Sequence, residues 1–108
     1  MQDTHYLKRG DTSPSLLYAL DPASVVLTGA TVRFNMRAKD TGTVKVNRAA
    51  ATIVTATGTP TVRYDWVGAD TDTAGFFDAE FEVTYSGGAV ETFPNNGFIR
   101  VHIDGDIA

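Results

Sequence analysis

Five carboxylates crowd between positions 70 and 82: Asp70, Asp72, Asp78, Glu80 and Glu82. Two chemistries use such a group. Calcium takes about six to eight oxygen ligands, many of them loop carboxylates, and Asp70-Thr71-Asp72 has the Asp-x-Asp opening of a calcium loop. The rest of that pattern is missing: no Asp-x-Gly follows, and no closing bidentate Glu. Asp78, Glu80 and Glu82 alternate with apolar residues, which sets them on one strand face about 7 Å apart, too far to share an ion unaided. Glycoside hydrolysis pairs two acids in an apolar cleft, one with a raised pKa; the sequence signals neither condition. The favoured role for these acids is a solvated face, paired across strands with Arg33, Arg37, Arg63 or Lys45.

Other chemistry has fewer footholds. The two histidines are His5, near the N-terminus, and His102, at an outward strand position. A nucleophilic triad needs a serine or cysteine held by a base and an orienting acid. There is no cysteine, and no nucleophile-elbow glycine pattern surrounds any serine. Gly87-Gly88 is a hairpin turn, not a strand-to-helix phosphate loop. Arg9-Gly10-Asp11 spells the integrin tripeptide, but Gly and Asp chemistry there reads as a turn. The expectation is therefore no enzyme, no catalytic residues, no metal and no cofactor. Aromatic residues fall mainly on inward positions. Phe76, Phe93 and Phe98 lie at loop margins and are expected to be exposed, either as a sugar platform or, by preference, in corner packing or a protein interface.

These residues must be positioned by strands. From Phe77 to Tyr85 the alternation is unbroken: Phe77, Ala79, Phe81, Val83 and Tyr85 face one way and the acids the other. Ala30 to Lys39 alternates likewise, with Val32, Phe34, Met36 and Ala38 inward. Thr61 to Val67 puts Val62, Tyr64 and Trp66 inward, and Phe98 to Asp104 does the same with Ile99, Val101 and Ile103. Shorter strands are expected at Thr4–Lys8, Ser15–Leu20, Thr43–Asn47 and Ala89–Thr92. Lys45 would guard a sheet edge. Asp21-Pro22-Ala23-Ser24 breaks the chain. Ala49 to Ala56 is ambiguous between helix and strand, and its threonines favour a strand. Turn signals recur about every ten residues, the mark of a sandwich or barrel.

Composition agrees. The chain has 108 residues, 43% hydrophobic and 20% charged, ordinary for one globular domain, so 1–108 is read as a single unit. Nine basic against thirteen acidic residues give a net charge of −4, which lacks the footprint of a nucleic-acid binder. No apolar run approaches the roughly 20 residues of a membrane span. Met1 to Tyr6 has neither a basic nor an apolar signal-peptide region, which predicts a cytosolically made protein.

Five phrases carry a further resemblance: Lys8 to Pro14 (KRGDTSP), Leu27 to Arg37 (LTGATVRFNMR), Val62 to Trp66 (VRYDW), Asp70 to Phe81 (DTDTAGFFDAEF) and Phe93 to Ile99 (FPNNGFI). In this order the chain resembles the N-terminal domain of bacteriophage baseplate upper proteins. The resemblance implies an all-β, immunoglobulin-like antiparallel β-sandwich of about seven to nine short strands. It implies a structural part of a virion tail or baseplate that attaches other phage proteins by protein–protein contact, in multiple copies within a symmetric assembly. Capsid decoration, head–tail joining and glycan binding are the alternatives. The candidate interface residues are Asp11, Thr12 and Pro14; Asp70, Asp72 and Phe76; and Phe93, Pro94, Asn95 and Phe98. Two departures stand out. Family members often continue into a helical stalk, whereas this sequence stops at Ala108, which predicts a small stand-alone virion protein. Phe77 stands where the family often has Tyr, so a tyrosine-corner bond would be lost there.

Overall fold

A computed structural model describes residues 4–20 and 25–105. The chain break expected at Asp21 to Ser24 lies outside them. Among the described residues nine strands form: β1 (Thr4–Lys8), β2 (Leu16–Ala19), β3 (Thr31–Ala38), β4 (Val44–Ala50), β5 (Thr52–Thr55), β6 (Thr61–Tyr64), β7 (Gly75–Thr84), β8 (Val90–Phe93) and β9 (Ile99–Asp104). The only helical piece among the described residues is a single 3₁₀ turn, Gly68–Thr71.

The strands make two sheets. The larger runs β1-β9-β7-β3-β4, with β8 also paired to β7; the smaller runs β2-β6-β5. The β7 strand is the axis of the larger sheet. On one side β3 pairs with it from Thr31↔Thr84 to Ala38↔Phe77. On the other side two collinear pieces share its length: β8 against Phe81–Thr84 and β9 against Gly75–Ala79. Pro94 interrupts that neighbour because it cannot donate to the ladder. One expectation is corrected here. The sheets are not all antiparallel, since β1 runs parallel to β9, Thr4↔Arg100 to Lys8↔Asp104. A parallel partner cannot come from a hairpin, so β1 and β9, at opposite ends of the chain, close that side of the sheet.

The ambiguous stretch from Ala49 to Ala56 holds strand rather than helix, at Ala49–Ala50 and Thr52–Thr55, in two different sheets. Ala49 and Ala50 end β4, Ala51 N–H still donates to Val32 O at 3.0 Å, and β5 then pairs with β6. Within β4 the backbone kinks at Arg48, whose φ is 51°. The Asn35 side chain catches the kink by accepting from Arg48 N–H at 2.8 Å.

The two sheets bury one core. Phe34, Ala79, Phe81, Val83, Val62, Phe93 and Val101 are fully buried. Aromatic rings bridge the layers: Phe34 of the large sheet stacks on Tyr64 of the small one at 4.2 Å, and Trp66 meets both edge-on at 5.6 and 5.4 Å. Phe81 reaches Tyr18 at 5.9 Å. Each such pair adds about 0.5–1.5 kcal/mol beyond its buried area. Trp66 is buried as expected, though it follows β6 rather than lying in it.

Candidate interaction face

The outward residues of the large sheet line up in rows across the strands. The most apolar row lies near the end where β1 and β9 finish. Tyr6 on β1 is opposite His102 on β9, and His102 is opposite Phe76 on β7. The Phe76 and His102 rings stack at 4.2 Å and 14°, and Tyr6 meets His102 edge-on at 5.7 Å. Tyr6 is 65% exposed and Phe76 50%. His102 Nε2 is also 3.0 Å from Asp104. The next row is charged: Arg100, Asp78 and Arg37 in register, followed by Val44. Arg37 lies over the Phe98 ring, 4.8 Å from its centroid. Beyond it Glu80 faces Asn35 and Glu82 faces Arg33.

A cleft of about 360 Å³ opens in this face between Arg37, Arg48, Asp78, Glu80 and Phe98. Asp78 and Glu82 stand opposite Arg37 and Arg33 and Glu80 stands opposite Asn35, but the ion pair that forms with these acids among the described residues is Arg48 with Glu82. Arg63 and Lys45 pair elsewhere: Arg63 with Asp65 at 2.9 Å, and Lys45 with Asp72 at 2.5 Å. Among the described residues no three of His, Cys, Asp and Glu converge on a metal-sized site.

A second cleft, of about 450 Å³, lies between β1, β2 and the loop after β8, lined by His5, Leu16, Tyr18, Pro94 and Phe98. His5 stacks on Trp66 at 5.8 Å and donates from Nε2 to Pro14 O at 3.2 Å. Burial lowers its pKa from the ordinary 6.5, against the opposing pull of the Pro14 carbonyl. Ser15 Oγ donates to Asp65 at 2.7 Å. Among the described residues no serine or threonine hydroxyl bonds to a histidine.

The candidate residues divide. Asp11, Thr12 and Pro14 are exposed in the turn after β1, and Asp72 is exposed beside Lys45. Asp72 has a lowered pKa because it accepts first from Lys45 and then from Thr73. Phe76 is exposed, but on the strand rather than in a loop. Asp70 and Phe93 correct the expectation. Asp70 is only 7% exposed, because its Oδ2 accepts from the Tyr64 hydroxyl at 2.6 Å and from Val67 N–H at 2.9 Å. Burial, and then this bond to Asp70, raises the Tyr64 pKa. Phe93 is fully buried in β8 opposite Phe81, so it offers no sugar platform. Pro94 and Phe98 are half-buried. Asn95 is exposed, with its side-chain nitrogen donating to Thr92 O at 2.9 Å and to Glu91 at 3.1 Å.

The fold brings the first two candidate groups together and leaves the third apart. Thr71, fully buried, donates from Oγ1 to Asp11 O at 2.8 Å and accepts at its carbonyl from Gly10 N–H at 2.8 Å. The turn at 8–14 is thus bolted to the turn at 70–72, while the 93–98 segment sits at mid-edge between β8 and β9. The Tyr6–His102 pair escapes sequence reasoning, since it depends on the parallel β1–β9 register. The Asp70–Tyr64 bond does leave a sign: an inward tyrosine needs a partner for its hydroxyl.

Against known proteins, the chain matches no family model, no curated protein and no solved structure.

Proposed function

We propose that this chain is a structural module of a bacteriophage virion, in the tail or baseplate, acting by protein–protein contact. One observation carries the reading. Two of the phrases that resemble the baseplate family, Lys8–Pro14 and Asp70–Phe81, are some sixty positions apart and yet hydrogen-bond to each other through Gly10, Asp11 and Thr71. Residues shared for a structural reason are expected to meet in this way. The order β1-β9-β7-β3-β4 facing β2-β6-β5 supports an immunoglobulin-like type, with β9 and β8 as one interrupted strand. The exposed Tyr6 and Phe76 rings favour contact with another protein. In this reading the protein is made in the host cytoplasm and assembles in several copies with other tail or baseplate proteins.

The test is mass spectrometry of purified particles, followed by electron microscopy of labelled particles. The expected result is the protein present at a fixed copy number, with label at the tail tip. Label at the capsid or neck would move the assignment there, to a decoration or joining protein. Absence from particles would overturn the reading.

A further inference from the structure

We propose that the end of the large sheet bearing Tyr6, His102 and Phe76 is a docking face for a carboxylate-rich protein surface. The inference names the partner chemistry for the contact function proposed above, and rests on that reading only for the identity of the assembly.

Ring orientation comes first. The 4.2 Å separation of Phe76 and His102 is close to the spacing of neighbouring strands, about 4.8 Å. The stack therefore runs across the strands, and the two ring planes stand upright on the sheet. Each covers one face of the other and their edges point outward. An aromatic edge is the positive side of the ring quadrupole. The outward rim of these two rings attracts anionic oxygen.

Charge comes second. Lys8, Lys39, Arg37 and Arg100 surround this row, against Asp104 and Asp78. Elsewhere Lys45, Arg48 and Arg63 each hold a carboxylate. None of the four around the rings makes an ion pair among the described residues, and Arg100 Nε is buried with no hydrogen-bond partner. Asp104, the register partner of Lys8, is engaged by His102. Of the six lysines and arginines that make no ion pair among the described residues, these four lie around the exposed rings, while Arg33 stands opposite Glu82 further along the sheet and Arg9 lies in the turn after β1. Such a face is complementary to carboxylates set among apolar groups. A phosphate polymer fits poorly: the whole chain repels it at long range, and two acids interrupt the cations. A protein surface presents a few carboxylates at close range and covers the rings as well.

The test is a titration of the isotope-labelled full chain with a short peptide of alternating Glu and Leu, followed by amide shifts, with double-stranded DNA and a peptide of alternating Lys and Leu in parallel. Shifts should centre on Tyr6, Lys39, Phe76 and His102. Phe76→Ala and Lys39→Glu should each weaken binding about tenfold, while Val54→Thr, on the small sheet, leaves it unchanged. Both variants should keep a dispersed spectrum, since both positions are exposed. No shifts, shifts centred elsewhere, or DNA binding as tightly at these residues would overturn the proposal. Concentration-dependent shifts at this face without peptide would assign it to a second copy instead. Peptide binding by a protein absent from particles would remove the virion reading and leave this face standing; a protein present in particles that binds no peptide would do the reverse.

Discussion

The two faces of β7 are written in the same ten residues, and they differ in what determines them. On the inner face Phe77, Ala79, Phe81 and Val83 are all 3% exposed or less. Their fate follows from alternation alone, because any sheet that buries one buries all. On the outer face Phe76, Asp78, Glu80, Glu82 and Thr84 range from half-buried to exposed. What each does there depends on the strand beside it: His102 for Phe76, Arg37 and Arg100 for Asp78, Arg33 and Arg48 for Glu82. Local pattern sets the core, and register sets the surface chemistry.

The largest test of that contrast is Phe81→Ala. Phe81 packs on Phe34 at 5.1 Å, on Tyr18 and opposite Phe93, with no exposed surface. Removing the ring should cost about 3–5 kcal/mol in denaturant unfolding. A loss under about 1 kcal/mol would mean that the core collapses around the gap, and the contrast would fail on its stronger side.

The polar exception inside the core comes next. Asp70→Ala leaves the Tyr64 hydroxyl and Val67 N–H without their acceptor, and should cost about 2–3 kcal/mol. A pH signature separates this pin from simple packing. Tyr64 has its pKa raised above the ordinary 10.0 by burial first and by Asp70 second. The folded state therefore binds the proton more tightly than the unfolded state. That stability is full below pH 10 and is lost as pH rises from there toward the folded value. Tyr85, pushed up to about 12 by burial and by its bond to Glu91, acts in the same direction. Unfolding free energies measured on either side of pH 10 should fall with pH. The fall should be shallower in Tyr64→Phe and persist in part through Tyr85. An equal slope in the variant would remove Tyr64 from the account.

How much was legible follows the same division. The inward residues of β3, β6, β7 and β9 could be read from alternation, because burial is a property of one strand at a time. Phe93 could not. It precedes proline and a run of breakers, which reads as loop, yet the β8 pairing with Phe81 buries it completely. Asp70 looked like an exposed turn acid for the same reason: its two donors come from Tyr64 and Val67, and only the folded turn brings them to its carboxylate. The aromatic row needed a parallel pairing between the two ends of the chain, and no short-range signal specifies one. The crossing at Ala51 was hidden because both halves of the stretch are strand and only their sheets differ.

The smallest effect tests the outer face from the opposite side. Arg48 reaches Glu82 from the kink in β4, and the Arg48 side chain is 56% exposed. An exposed pair of this kind contributes about 0.2–1 kcal/mol, because water screens the charges and both long side chains lose freedom. Glu82→Gln should therefore shift unfolding by about 0.5 kcal/mol or less, and the shift should vanish at about 1 M salt, where the screening length is near 3 Å. The buried Asp70 pin, held by a hydroxyl and a backbone N–H, should keep most of its effect at the same salt. If Glu82→Gln instead cost more than about 1.5 kcal/mol at high salt, the acids on that side of β7 would be part of what holds the sheet together. The outer face would then be no freer to serve a partner than the inner one.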